Sequence, residues 1–123
     1  MKLHLASAGT SNRFTGYGNG YLSVNGQRHE RALVVTPDAL HESWSATSAA
    51  TISQAEVQFL IGLKPEIVLL GTGARQSFPS TTVLREFARA QIGVEAMDSA
   101  AACRTYNILA DEGRNVVAAV FLP

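Results

Sequence analysis

At 123 residues, with 46% hydrophobic and 16% charged residues, the chain is expected to fold as one domain, 1–123, burying roughly 65% of its unfolded surface. Ten basic and ten acidic residues cancel, and no basic run gathers along the chain, which excludes the footprint of a nucleic-acid binder. No apolar run approaches the ~18 residues of a membrane span, the opening MKLHLASAGTSNRF lacks a signal-peptide core, and the lone Cys103 has no internal disulfide partner. A soluble, cytoplasmic protein with no membrane insertion is the expectation.

In chain order, FTGYGNGY carries three glycines among aromatic and polar residues and reads as a flexible turn. Tyr21–Val24 and the run 27–35 then flank Asn25-Gly26, whose tolerance of positive φ at both positions predicts a type I′ hairpin. Residues 36–51, rich in Ser, Thr and Ala, read as a wrapping connection pinned by Trp44, whose indole N–H wants a partner.

The first helix signal follows. Ser53 is the N-cap, Glu56 closes a capping box, and Ile52 stands against Val57 as a hydrophobic staple. Val57, Leu60 and Ile61 form its apolar stripe; Gly62 with Leu63 is the expected left-handed stop, and Pro65 forbids continuation.

Strand and helix then alternate. Residues 66–71 form a continuous apolar run of the kind found in strands covered on both faces. A helix over 82–91, burying Val83, Leu84, Phe87 and Ala88, ends at Gly93, and 94–97 is the next strand. Asp98 or Ser99 caps a third helix that Gly113 stops; 115–122 is the last strand. On the third helix the wheel groups Ala101, Ala102, Thr105, Ile108 and Leu109 on the apolar side, with Tyr106 on its flank and Arg104, Asn107 and Asp111 opposite. This β-α-β-α-β half beside an N-terminal antiparallel hairpin implies an α/β layer sandwich.

The segment VLLGTGARQSFPS runs from a strand through a glycine turn toward a helix start, where free N–H groups attract anions. It lacks the lysine and second glycine of a Walker loop. Against the dinucleotide fingerprint it has Gln76 where a third glycine belongs, although Asp98 stands near the place of the acidic residue. Gly71 and Gly73 serve in one reading only to let the chain leave a buried strand sharply. In the other, Gly71, Thr72, Gly73, Arg75, Asp98 and Ser99 contact a ligand or partner at the carboxyl edge of the sheet. Arg104 and Asn107 are either a solvated face or a second recognition surface.

Cys103 lies near a helix N-terminus that favours a thiolate, which makes it a reactive-thiol candidate against the commoner role of a small buried hydrophobe. His4, His29 and His41 lie in the other half of the chain, no motif ties them to it, and their spacing suits no zinc site. No catalytic motif, metal site or cofactor is read.

KPEIVLLGTG and VEAMDSAAACRTYNILADEGRNVVAAVFLP resemble a family of small α/β domains. That family includes mitochondrial assembly factor three of respiratory complex I, the adipogenesis-associated domain protein of animals, and bacterial and archaeal proteins of unassigned function. The resemblance covers most of the chain and is most specific at Gly71-Thr72-Gly73, from Met97-Asp98 to Asn107, and at Glu112-Gly113-Arg114. It implies a three-layer fold with a mixed central sheet and no established catalytic activity. Ser99 departs from the usual Thr but keeps the hydroxyl, and the mitochondrial presequence is missing, in keeping with a bacterial-type cytosolic protein. The function so implied is a non-enzymatic protein-interaction or assembly module with a protein partner. The alternative is a small-ligand protein, for an anion or amide, or an enzyme with a pocket at the strand C-terminal edge, the loop 71–80 forming its wall.

Overall fold

A computed structural model describes residues 11–42 and 44–123; His4 and the first ten residues of the N-terminal stretch read above lie outside them. Strands β1 (Phe14–Gly18), β2 (Tyr21–Val24) and β3 (Gln27–His29) form a small antiparallel sheet. Strands β4 (Leu33–Val35), β5 (Leu40–His41), β6 (Ile67–Gly71), β7 (Gly93–Met97) and β8 (Val116–Val120) form a mixed sheet in the order β5-β4-β8-β6-β7. β6 runs parallel to β7 and β8, whereas β4 is antiparallel to β8 and β5.

Helices α1 (Gln54–Gly62) and α2 (Thr81–Arg89) cover one face of the mixed sheet, and α3 (Ser99–Asp111) with the small sheet covers the other. The alternation of side chains along a strand divides the core between them. On β8, Val116, Ala118 and Val120 join the α3 side, while Val117 and Ala119 join the α1–α2 side. This is the three-layer mixed architecture expected from the sequence.

Local chemistry explains the elements. Asn25 (φ 54°) and Gly26 (φ 83°) make the hairpin turn, with Val24 opposite Gln27. Ser53 and Glu56 complete the capping box of α1. Burial pushes the Glu56 carboxyl up, but the Ser53 N–H and the Ser45 and Ser53 hydroxyls outweigh it and hold its pKa below the usual value.

Several sequence expectations are corrected. FTGYG is a strand, not a turn: the glycines make room, since a Cβ on Gly18 would stand 2.5 Å from Cε1 of the Tyr21 ring that lies over it. The run 27–35 breaks after His29: Gln27 and Arg28 are exposed and His29 buried in the small sheet, whereas Leu33–Val35 are fully buried in the large one. Residues 36–51 contain the short β5 and a 3-10 turn at Ala49–Thr51. Trp44 does pin this segment, its ring 5.3 Å from that of Phe121, but its Nε1 has no acceptor among the described residues.

Gly62 and Gly93 are not the left-handed helix stops; Lys64 (φ 56°) and Gln91 (φ 60°) are. On α2, Val83 and Phe87 are buried while Leu84 and Ala88 face outward. On α3 the buried stripe is Ser99, Ala102, Cys103, Tyr106 and Ala110, and Ile108 is 58% exposed. The wheel is rotated because β1 covers the flank that carries Asn107.

Candidate functional site

The rim at the carboxyl ends of β6, β7 and β8 is built from three chain segments that hydrogen-bond to one another. Beyond β6, the Thr72 N–H donates to the Met97 carbonyl at 2.8 Å, extending the parallel ladder by one residue. The Ser99 N–H donates to the Gly73 carbonyl at 2.8 Å, the Gly73 N–H donates to Ser99 Oγ at 2.8 Å, and that hydroxyl donates to the Phe121 carbonyl at 2.6 Å. Thr72 and Asp98 therefore share one rim.

Gly71 is set by close approach. A Cβ there would stand 2.9 Å from Val120 Cγ1, 3.1 Å from Ala102 Cβ and 3.1 Å from the Ser99 backbone, because α3 starts directly over the end of β6. Gly73 turns the chain with φ 107°, a conformation that side chains oppose. Thr72 Oγ1 donates toward the carbonyls of Arg75 (2.7 Å) and Met97 (3.1 Å) and accepts the Ser77 N–H at 3.0 Å, so it fastens the loop to the strand.

The start of α3 is closed by its own chain. The Asp98 carboxylate accepts the Ala101 N–H at 2.9 Å, and the Ser99 N–H is held by Gly73, which spends donors that an anion would use. Arg75, in contrast, is exposed and pairs with no carboxylate among the described residues. Three residues further on, Phe78 is 69% exposed. A half-open cleft of about 400 Å³ borders Thr72 and Gly73, with Phe121, Leu122, Ala46 and Ser48 among its walls; Arg75 and Asp98 do not line it.

The other candidates sit apart from this rim loop. Asn107 clamps β1 by accepting the Phe14 N–H at 3.0 Å and donating to the Phe14 carbonyl at 2.8 Å. Arg104 donates to the Tyr17 hydroxyl at 2.8 Å. Asp111 holds Arg13 at 2.8 Å, and Arg114 holds Glu66 at 2.8 Å, an exposed pair in which the guanidinium lowers the Glu66 pKa.

Cys103 is 1% exposed in the core beneath α3, and burial pushes its thiol up to about 12, against a smaller opposing pull from Arg104. A thiolate is thus disfavoured at neutral pH. His29 Nδ1 lies 3.6 Å from Glu42, while Nε2 of both His29 and His41 is buried without a partner among the described residues. Sequence reasoning missed Phe78 and the open edge of β7; an aromatic between two turn segments was the signal for the first.

The family described as protein of unknown function (DUF498/DUF598) matches residues 14–121. The chain belongs to this family. It is 34% identical over 120 residues to NADH dehydrogenase (ubiquinone) 1 alpha subcomplex assembly factor 3 of Danio rerio, a match covering 96% of this chain and 67% of that protein. It is 30% identical over 104 residues to the 13 kDa major membrane protein of Francisella tularensis, covering 84% and 85%. A crystal structure of a Bordetella parapertussis protein superposes with a TM-score of 0.86 at 41% identity, covering 93% of this chain and 98% of that one. Among the described residues no helix is long and apolar enough to cross a membrane.

Proposed function

We propose that this family member is a non-enzymatic protein-interaction or assembly module acting in the cytoplasm, and that its loop 71–80 presents the recognition surface. The observation that carries the reading is the exposed Phe78 three residues after Arg75, which pairs with no carboxylate among the described residues, on a loop whose root is fixed by the Thr72, Gly73 and Ser99 hydrogen bonds. An aromatic and an arginine on a preorganised support are the residue types that dominate protein interfaces. The assembly-factor name of the zebrafish relative supports a protein partner as the class of ligand. Arg104 and Asn107 are left out of this surface, since both are engaged with β1.

A small-ligand reading has less support: the cleft beside Thr72 and Gly73 is half open, and the charged candidates Arg75 and Asp98 lie outside it.

Affinity capture at near-physiological salt tests the proposal. The wild-type chain is expected to retain a partner whose affinity falls by about thirtyfold when Phe78→Ser is combined with Arg75→Ala. Ile108→Ser, another exposed apolar site on α3 (58%), serves as the control and leaves capture intact. No retained partner, or equal retention by the double variant, refutes the reading. Because the Francisella relative is named a membrane protein, cell fractionation checks the compartment; recovery with membranes refutes the cytoplasmic assignment.

A further inference from the structure

Among the described residues, the mixed sheet ends on one side at β7, which pairs only with β6. The Gly93 N–H donates to Glu66 and the Met97 carbonyl accepts from Thr72, so in the two-residue alternation Gly93, Glu95 and Met97 direct their backbone groups at β6. Val94 and Ala96 direct theirs outward. Of those outward groups the Ala96 carbonyl is occupied, by the Gln76 side-chain amide at 2.9 Å. That carboxamide stands where the N–H of a further strand would stand, and it comes from the loop that carries Arg75 and Phe78.

The geometry points to β7 as a docking edge for an extended peptide segment of a partner protein, with a lysine or arginine opposite Glu95. The inference rests on the interaction role proposed above and names its mode, strand addition. In such a pairing Val94 and Ala96 exchange backbone hydrogen bonds with the incoming strand, and the Gln76 amide gives way to a backbone N–H. Val94 packs on the α1–α2 side of the sheet, so the peptide residues flanking the basic one extend that apolar side. Glu95 is exposed and alternates to the opposite face.

A second copy of the chain is the competing occupant, and charge opposes it. Two antiparallel β7 strands fit about a twofold axis with Val94 opposite Ala96 of the copy, which sets Glu95 directly against its own equivalent, Cβ atoms roughly 5 Å apart. Sliding the register by two residues brings in Ile92, whose N–H is held by Phe87, or Asp98, which caps α3. An exposed edge carrying a carboxylate thus repels itself and favours a basic strand.

The test uses the 15N-labelled full chain titrated with two end-blocked peptide probes, TVKVT and TVEVT. The expected result is amide shifts at Val94 and Ala96 and at the Gln76 side chain, with roughly fivefold tighter binding of TVKVT. Glu95→Lys, an exposed change that leaves the core untouched, is expected to reverse the preference. Absence of shifts at this edge, or a preference that Glu95→Lys does not alter, overturns the inference. So do concentration-dependent shifts of Val94 and Ala96 without peptide, which identify a second copy as the occupant. Loss of capture through Phe78 with no peptide effect overturns strand addition alone and leaves the interaction role standing.

Discussion

The Ser99 hydroxyl joins three strands' ends with one oxygen: it accepts from Gly73 and donates to the Phe121 carbonyl, and both bonds are buried. Ser99→Ala leaves that donor and acceptor without replacement, so a loss of about 1–3 kcal/mol in urea unfolding is expected. A variant as stable as the wild type would show that the rim does not depend on this residue. Cys103 gives a second prediction, with its sign set by burial. The folded chain keeps the thiol proton up to about 12, whereas the unfolded thiol loses it near 9.0. Above 9.0 the unfolded state therefore binds fewer protons, and the stability present below that pH is lost as pH rises toward 12. Chemical denaturation across this window is expected to show a shallower decline in Cys103→Ala, and native protein is expected to resist alkylation until it unfolds. Equal slopes in the two proteins would refute the assignment.

Helix ends show where local sequence reasoning stops. On α2 the Gln91 N–H donates to Ala88 and the Ile92 N–H to Phe87, the paired bonds of a Schellman turn, with Gln91 in the left-handed position. Burial of Ile92 against the Phe87 cluster decides the stopping point, and glycine two residues later is only a strand residue. The same bonds close α3 at Gly113 and Arg114, where a glycine does stand in place. The position of Gly113 was legible; that Lys64 and Gln91 would bear the same strain was not, because tertiary burial chose them. Gln91→Gly is expected to raise stability by about 0.5–1 kcal/mol by removing that strain. Gly93→Ala should be tolerated, its new Cβ meeting nothing nearer than 3.8 Å. Thermal melts of the two variants separate the roles, and a destabilised Gln91→Gly would contradict them.

At the scale of the molecule, the β-α-β-α-β half was legible because β6 and β8 are continuous apolar runs, β7 is a short run broken only by Glu95, and each helix carries its own cap. The candidate rim was legible in location for the same reason: strand ends and helix starts fix where Thr72 and Asp98 meet. Their hydrogen-bond partners were not legible, since the Phe121 carbonyl reaches Ser99 from another part of the chain. Likewise, nothing near Asn107 in sequence announces β1, which contacts it from 93 residues away. The small sheet is fastened to α3 through that amide, the Arg104–Tyr17 bond and the edge-on packing of Phe14 against Tyr106 at 5.3 Å. Leu22 and Val24 add to this by burying their side chains in the same core cluster, but among the described residues no backbone ladder joins the small sheet to the mixed one, so side-chain contacts hold what ladder bonds also hold within the mixed sheet. Asn107→Ala removes both amide bonds to Phe14, and a loss of about 1–3 kcal/mol is expected. Native-state hydrogen exchange should register it as faster opening of β1 and β2, with Leu69, Val117 and Ala118 still exchanging only on global unfolding. If all three layers lose protection together, the small sheet is not a separable unit, and Asn107 then contributes to one cooperative structure.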